Sequence, residues 1–331
     1  MSFEAILGQP RAVHFLERAL ESDRVAHAYA FVGPSGVGRK LTALGFAQRL
    51  LCIDGRGCGA CSSCRRVVAR THPDLHLIEP TPPQDNPKGG LAIRIAEARA
   101  LVHGAGLYPL EGAWKVFIID EAERMTIETV NALLRTLEEP PPRTVLILIL
   151  GHVRLLPATA LSRCQVVRFR PLDDGVVVRL LEERLGLARE IAEVLARLAQ
   201  GRIGLALALA AGEWLRDRDR LIALLSGGRL EEIFALAEDI GRDRARAEQW
   251  VELCWFWLRD LLVVNGGGDP ALLINGDRVE TLSNQARLLS TGAIVERLGR
   301  IREIWVGLQG NVSPRLSLEV ALTHLVLPEA A

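Results

Sequence analysis

Gly33-Pro34-Ser35-Gly36-Val37-Gly38-Arg39-Lys40 is the stretch that decides how the first half of the chain is interpreted. It follows a short apolar run at 28–32 and precedes a run at 41–51 that is typical of a helix. A strand, a glycine loop and a helix, in that order, are the context of a phosphate-binding loop. The glycines let backbone N–H groups surround phosphate oxygens, and the helix N-terminus adds a favourable dipole. Gly33, Gly36 and Gly38 therefore predict a nucleotide-binding loop.

Two side chains depart from the expected spelling G-x-x-x-x-G-K-[ST], in which the lysine reaches phosphates and the hydroxyl ligates Mg²⁺. Arg39 stands at the lysine position, and Lys40 stands at the hydroxyl position. Lys40 is not a substitute, because one residue along a helix turns the side chain by about 100°. The planar guanidinium of Arg39 is not a compact ammonium. We expect ATP and Mg²⁺ binding to be weak or absent and hydrolysis to be inefficient; a strand–turn–helix corner without a ligand is the alternative.

Composition sets the broad class of protein. A length of 331 residues predicts two or three domains, and 49% apolar residues are ample for a core. Because 40 basic residues balance 40 acidic ones, the net charge does not indicate a strongly basic face. It does not exclude a local basic patch. We see neither a signal peptide nor an apolar run of about 18 residues, and we therefore expect a soluble, cytoplasmic protein.

Four of the six cysteines fall within thirteen residues, in the pattern C-x5-C-x2-C-x2-C formed by Cys52, Cys58, Cys61 and Cys64. In a cytosolic chain this spacing indicates a metal rather than disulfides. Four thiolates complete a closed tetrahedral zinc site, so the predicted zinc is structural and not catalytic. The alternatives are four reduced cysteines without a metal, or a redox role for the Cys61–Cys64 pair.

A second acidic signal follows the strand predicted at 115–119. Asp120 and Glu121 end that apolar run, as the second half of an NTPase site does. In such a site the Asp holds Mg²⁺ through water and the Glu polarises the attacking water. The alternative is a buried strand that ends in a helix-capping acid. Upstream we predict a strand at 74–79, a loop at 80–90 and a helix at 93–103.

The remainder of the first half predicts a helix at 126–139, a strand at 144–150 typical of a buried parallel sheet, and a last strand at 166–169. Arg163 lies between these two strands, within Ser162-Arg163-Cys164. An arginine on the rim of such a domain can act as a finger for a neighbour's nucleotide. A solvated surface charge is the alternative.

The second half predicts helices throughout. Three helices are expected at 172–185, 187–200 and 203–212. Trp250, Trp255 and Trp257 fall in one further helix, which the glycines at 266–268 should break, and two or three more helices should run to about residue 327. We interpret the tryptophans as core residues, and a nucleic-acid stacking platform is the alternative. The fold class is therefore α/β with a parallel sheet, followed by an all-α region.

At this point the chain resembles the clamp-loader subunits of bacterial DNA polymerase III, which belong to the AAA+ family. The resemblance implies an AAA+ core at 1–170 with a zinc module at about 52–64, a three-helix lid at 171–212, and a helical collar at 213–331. It also implies assembly into a ring of five subunits that helps to load the sliding clamp onto primed DNA. The motifs that carry it are the glycine loop, the four cysteines, Thr71-His72-Pro73-Asp74, Asn131-Ala132-Leu133-Leu134-Arg135-Thr136-Leu137-Glu138-Glu139-Pro140-Pro141 and Ser162-Arg163-Cys164.

Within that family, the damaged loop favours the delta-prime type over the gamma/tau motor type. The strand end Leu150-Gly151-His152 has no hydroxyl or Asn where motor subunits carry a polar sensor residue, and Gly204 stands where they carry a second sensor arginine. The intact pair Asp120-Glu121 argues the other way. The resemblance implies gamma/tau and delta subunits as partners, with Arg163 acting on a neighbouring motor subunit. The chain would then not be an active ATPase alone, but a subunit of the DNA polymerase III holoenzyme. The alternatives are an autonomous AAA+ ATPase, such as a motor subunit or a repair enzyme, and a zinc-dependent nucleic-acid-binding module.

Overall fold

The structure is a computed structural model that describes residues 3, 6–82, 91–309 and 312–326. The chain divides into two compact units. The first comprises Met1–Val177 with Gln200–Gly204, and the second comprises Val178–Ala199 with Leu205–Ala331. The three-domain division expected from the sequence stays a prediction.

The first unit is built on a five-stranded sheet in which every strand pair is parallel. Its strand order is β2-β3-β4-β1-β5, so that β1 lies between β4 and β5. Ligands of such open sheets bind outside the carboxyl ends of the strands, where the strand order changes direction. The strands are β1 Ala28–Val32, β2 Leu75–Ile78, β3 Lys115–Ile119, β4 Thr144–Leu150 and β5 Gln165–Arg168.

Helices cover both faces of this sheet, because side chains alternate between the faces along each strand. Tyr29 and Phe31 of β1 pack in the same cluster as Phe46, while Ala28 and Ala30 pack in the same cluster as Leu133. Strands β1, β3 and β4 are buried along their whole length, as the predicted buried parallel sheet requires. The helices are α1 Pro10–Glu21, α2 Arg39–Leu51, α3 Ser62–Val68, α4 Ile95–Ala105, α5 Ile127–Glu138 and α6 Ala158–Leu161.

The predicted α/β class with a parallel sheet is confirmed, and several helix boundaries differ from the prediction by two residues, among them the starts of α2, of α4 and of the helices Asp174–Leu185 and Arg189–Ala199. Helix α2 begins at Arg39 rather than at residue 41, because Gly38 is its N-cap. Helix α4 begins at Ile95 rather than at residue 93, because Ile93 forms a parallel bridge with Met125. Of the loop predicted at 80–90, residues 83–90 lie outside the described residues.

After β5 the described chain is helical, as predicted. Trp250 and Trp257 of α12 are buried in the second unit, whereas Trp255 is 38% exposed, so the core interpretation holds for two of the three tryptophans. Helix α12 ends before Gly267, which takes a positive φ of 69°. The helices are α7 Asp174–Leu185, α8 Arg189–Ala199, α9 Ile203–Ala211, α10 Trp214–Leu225, α11 Leu230–Ile240, α12 Arg244–Asn265, α13 Val279–Ala286, α14 Thr291–Gln309 and α15 Pro314–Val326.

Among the described residues, the search for helices of membrane-spanning length and apolarity finds none.

Candidate functional site

The glycine loop has the backbone of a phosphate-binding loop. It connects the end of β1 to α2, and the Gly33 N–H donates to the carbonyl oxygen of Leu150 at 3.2 Å. Gly38, the N-cap of α2, takes a φ of 99°, a left-handed conformation that only glycine adopts without strain. A Cβ at Gly33 would lie 2.5 Å from the carbonyl oxygen of Phe169, so the close approach of the residue that follows β5 also requires glycine there.

Arg39 begins α2 and faces the acidic residues that follow β3. Burial lowers the pKa of its guanidinium, and the nearby carboxylates of Glu123, Asp120 and Glu121 partly offset that effect. Its Nη1 atom is buried and has no hydrogen-bond partner among the described residues. At least one nitrogen of the Arg39 guanidinium is therefore withdrawn from solvent.

Lys40 makes the central contact of this site. Its Nζ lies 2.9 Å from Oδ2 of Asp120, and the same ammonium also bonds to Glu79 just beyond β2. Burial would lower the pKa of Lys40, but the hydrogen bonds to Glu79 and Asp120 outweigh it and raise the pKa. The side chain at the hydroxyl position thus neutralises the acid that would hold Mg²⁺ in an active NTPase.

Glu121 is also engaged within the protein. Its φ of 47° places it in the left-handed region, and its carboxylate bonds to the guanidinium of Arg124. Its backbone N–H donates to Oδ1 of Asp120 at 3.0 Å. The carboxylate that would polarise a water in an active site is therefore held by a neighbouring arginine.

At both positions expected for sensor residues, the backbone N–H is hydrogen-bonded within the protein. The Gly151 N–H, just after β4, donates to Oε1 of Glu123 at 3.1 Å. The Gly204 N–H donates to the carbonyl oxygen of Gly36 at 2.8 Å. A Cβ at Gly204 would stand 3.1 Å from Cα of Gly36, which leaves little room for an arginine side chain there.

These residues do not fit a magnesium–nucleotide complex of the usual kind. The nearest downstream hydroxyl, on Thr42, is buried and donates to the carbonyl oxygen of Gly38 at 2.9 Å. Mg²⁺ is usually held by one or two carboxylates, with water and phosphate oxygens. Here Asp120 is already paired with the ammonium of Lys40. The loop keeps its backbone shape but lacks free metal ligands.

The four cysteines form a compact cluster at the other end of α2. Their sulfurs all lie within 4.8 Å of one another, and Cys52 Sγ is 3.8 Å from Cys58 Sγ. Four sulfurs about 2.3 Å from a tetrahedral zinc would be about 3.8 Å apart. The four residues are free cysteines, so no disulfide competes for these sulfurs. The expected clustering is confirmed, and its geometry fits one metal ion.

Backbone N–H groups already face these sulfurs. The Cys61 N–H donates to Cys58 Sγ at 3.4 Å, and the Cys64 N–H donates to Cys61 Sγ at 3.3 Å. Burial opposes ionisation of Cys52, but backbone N–H groups, first that of Cys58, lower its pKa to about 6. Burial raises the pKa of Cys64 to about 12. A bound cation would offset that penalty, because metal ligands are thiolates.

The other two cysteines stand apart from this cluster. Burial raises the pKa of both Cys164 and Cys254 to about 12, so both are neutral thiols at physiological pH. Cys164 Sγ lies 3.4 Å from the carbonyl oxygen of Ala160. Neither cysteine belongs to the group that can hold a metal.

Arg163 lies just after α6 with 33% of its side chain exposed. Its Nη2 atom is 2.6 Å from Oε1 of Glu138, at the end of α5, and its Nη1 atom bonds to the carbonyl oxygen of Thr159. The guanidinium is thus held at the surface by an acidic residue of the motif at 131–141, and its hydrogen bonds go to Glu138, Thr159 and Ser162.

Sequence reasoning missed two buried charges that fix the segment between α4 and β3. The Asp74 carboxylate accepts backbone N–H groups from Leu110, Glu111 and Gly112 at 2.6, 2.9 and 2.9 Å. Lys115 Nζ bonds to three carbonyl oxygens of residues 104–108. Asp74 lies in the motif Thr71-His72-Pro73-Asp74, whose local sequence does not indicate these partners. Glu79 was missed as well, since only the fold brings it to Lys40.

The chain is similar to several known proteins. The delta' subunit of DNA polymerase III from Bacillus subtilis (strain 168) is 29% identical over 96% of this chain and 95% of its own length. The tau subunit of DNA polymerase III from Escherichia coli (strain K12) is 31% identical over 71% of this chain, which spans 37% of the tau sequence. A solved DNA polymerase III gamma subunit-related protein from Thermotoga maritima is 17% identical, with a TM-score of 0.48, over 94% of this chain and 98% of its own.

The family assignment rests on the first unit of the chain. The family model described as DNA polymerase III, delta subunit, matches residues 8–173, which is half of the chain. That range contains the glycine loop, the four cysteines, the acidic pair at 120–121 and Arg163. The chain therefore belongs to the DNA polymerase III delta-subunit family, among the subunits of the bacterial clamp loader.

Proposed function

We propose that this chain is a delta-prime-type subunit, which does not hydrolyse ATP on its own. The observation that carries the proposal is the bond between Lys40 and Asp120, because it neutralises the acid that a magnesium ion would need. The pairing of Glu121 with Arg124 supports it further, since Glu121 is the carboxylate that would polarise a water in an active NTPase. Gly33, Gly36, Gly38 and Arg39 then form a degenerate nucleotide site, in which binding is weak or absent.

The active role that we propose is to complete a neighbour's site with Arg163. Its guanidinium is one-third exposed and rests on Glu138, so it can leave that partner at modest cost. An arginine placed against a transferring phosphoryl group stabilises charge in the transition state, an effect of about 10³ to 10⁵ in rate in other systems. The phosphate would be bound by the adjacent gamma/tau subunit.

The cysteine cluster has a structural role in this proposal. Cys52, Cys58, Cys61 and Cys64 would hold one zinc ion, which closes the segment between α2 and α3. With four sulfur ligands the ion would have no open position for chemistry. The AAA+ core, lid and collar divisions at 170 and 212 belong to the same proposal, with the collar joining gamma/tau and delta subunits in the ring. The sliding clamp and primed DNA would be reached through that complex.

One observation favours a second candidate, an autonomous motor of the gamma/tau type. The acidic pair Asp120-Glu121 is retained, and tau relatives match more than two thirds of this chain. Such a motor would need Arg39 or Lys40 to serve as the phosphate lysine. Steady-state ATP turnover by the isolated chain distinguishes the two, because typical enzymes turn over at about 1 to 1000 per second. A rate above about 1 per minute that is lost in Arg39→Ala would establish the motor.

Assembly tests the proposed function itself. The chain is mixed with purified gamma/tau and delta subunits, and the mass of the intact complex is measured. We expect this chain in the complex, and we expect clamp loading onto primed DNA to require it. A chain that stays monomeric beside a complete and active loader would contradict the proposal. For any variant that removes Arg163, Arg189→Ala is the control for loss of a positive charge, because Arg189 is an exposed arginine that pairs with Glu193.

A further inference from the structure

The ammonium of Lys40 lies between two carboxylates at the ends of neighbouring strands. Glu79 follows β2 and Asp120 follows β3, and these two strands are neighbours in the sheet. Their carboxylates bond to the same ammonium, with Nζ–Oδ2 at 2.9 Å for Asp120. Two carboxylates that share one cation are also the arrangement by which a protein holds a divalent ion. The position between them is taken by a side chain of the protein.

Other charged groups surround this point. Arg39 is the neighbouring cation, and the carboxylates of Glu123, Asp120 and Glu121 act on its pKa. Glu121 is bonded by Arg124, whereas Glu123 accepts the Gly151 N–H with Oε1 and keeps a buried Oε2 without a hydrogen-bond partner among the described residues. Three side-chain cations thus offset most of the charge of four carboxylates. A magnesium ion between Glu79 and Asp120 would have to displace Lys40.

We propose that the Lys40 ammonium permanently occupies the divalent-cation position of this loop, so that the site excludes Mg²⁺ and any phosphate that it accepts binds without a metal. The inference deepens the proposed degenerate site and rests on it. Mg²⁺ gives up its water reluctantly and needs near-octahedral oxygen ligands, whereas the tethered ammonium is always present and needs only the two carboxylates. Lysine is suited to this role because its ammonium is a compact point charge on a flexible stem.

Metal binding tests this inference without reference to activity. Zinc-loaded full-length protein is titrated with Mn²⁺, and free Mn²⁺ is followed by electron paramagnetic resonance. We expect no site dependent on Asp120 in the unmodified chain. Lys40→Thr removes the ammonium and supplies a hydroxyl, and it should bind one Mn²⁺ at least tenfold more tightly than the unmodified chain does. Lys40→Arg keeps the positive charge and should not bind.

A second substitution identifies the site. Lys40→Thr combined with Asp120→Asn should lose the added Mn²⁺, because the neutral amide is a poorer metal ligand than the carboxylate. Lys40→Gln, which removes the charge with little change in bulk, should also gain Mn²⁺ and serves if the threonine variant folds poorly. Zinc content and circular dichroism report whether each variant is folded.

Two outcomes would overturn the inference: Mn²⁺ binding by the unmodified chain that Asp120→Asn abolishes, or equal Mn²⁺ binding by the unmodified chain and folded Lys40→Thr. Either result concerns only the metal position. The proposed function fails separately, if the chain does not join the loader.

Discussion

The two ends of helix α2 carry two sites that differ in what their side chains have as partners. At its C-terminal end, Cys52 and three further cysteines present sulfurs that lie close to one another and accept hydrogen bonds from backbone N–H groups. At its N-terminal end, Lys40 and Asp120 satisfy each other. A site that still binds a metal keeps its ligand atoms close together, and no positively charged side chain of the protein is paired with them. A site that has lost its ligand can keep its backbone while its charges pair within the protein.

The largest expected effect comes from breaking the cysteine site. Cys64→Ser should reduce the zinc content from about one ion per chain to none, because three thiolates and a hydroxyl no longer form a closed site. Structural zinc contributes about 10 to 16 kcal/mol of apparent binding free energy in small zinc-binding peptides, so the segment from Cys52 to Val68 should lose its ordered structure. Elemental analysis and protease sensitivity measure the two effects.

The matched control uses the cysteines outside the cluster. Cys164→Ser and Cys254→Ala should each retain about one zinc, since neither sulfur belongs to the group that can hold a metal. A folded unmodified protein without zinc would contradict the assignment, and so would loss of zinc in either control.

A smaller effect is expected at Asp74, a buried carboxylate whose partners are backbone N–H groups rather than a lysine. Burial opposes its ionisation, but the N–H groups of Leu110, Glu111 and Gly112 outweigh it and lower the pKa of Asp74. Asp74→Asn should reduce the free energy of unfolding by about 3 kcal/mol, the upper end of the range for hydrogen bonds to a charged group. Denaturant titration measures the change.

The pH dependence of the same residue has a definite sign. Because folding lowers the pKa of Asp74, its stabilisation is fully present above the unfolded pKa of about 3.9 and is lost as the pH falls through the folded value. The difference in the free energy of unfolding between the unmodified chain and Asp74→Asn should therefore become smaller below about pH 4. Glu190→Gln, at an exposed position, is the control and should leave the pH profile unchanged. A gap that is constant with pH would show that the charge of Asp74 is not what stabilises the fold.

The smallest expected effect concerns the glycine loop at the N-terminal end of α2. Arg39→Lys combined with Lys40→Thr restores the usual spelling of the loop, and the glycine backbone is already in place. We expect magnesium-dependent nucleotide binding to tighten about tenfold, or about 1.4 kcal/mol. Hydrolysis should stay absent, because Arg124 still holds Glu121. Fluorescent nucleotide titration with and without Mg²⁺ measures the binding. An unchanged nucleotide affinity would mean that the backbone of the loop also prevents binding.

Local patterns predicted most of the fold. The five strands lie within about one residue of their predicted positions. Strands β1, β3 and β4 were recognisable because buried parallel strands read as continuous apolar segments. The cysteine spacing likewise identified its cluster, since all four ligands lie close together along the chain. The spelling of the loop showed which groups were missing but not what replaced them.

Long-range contacts account for what the sequence could not predict. Glu79 lies 39 residues from Lys40, and only the neighbouring positions of β2 and β3 bring it together with Asp120. Glu138 meets Arg163 because α5 ends near α6, and no local pattern encodes that ion pair. Asp74 reads as an ordinary strand-flanking acid until the fold supplies its three N–H donors.

The central claim is that this chain acts on a neighbour's nucleotide and not on one of its own. The most direct measurement is clamp-dependent ATP turnover by the loader reconstituted with either Arg163→Ala or Glu121→Gln in this chain. We predict that Arg163→Ala assembles normally and lowers turnover by about the share of one motor site, because one finger is lost. Glu121→Gln should leave turnover unchanged. A fall with Glu121→Gln and none with Arg163→Ala would contradict the account.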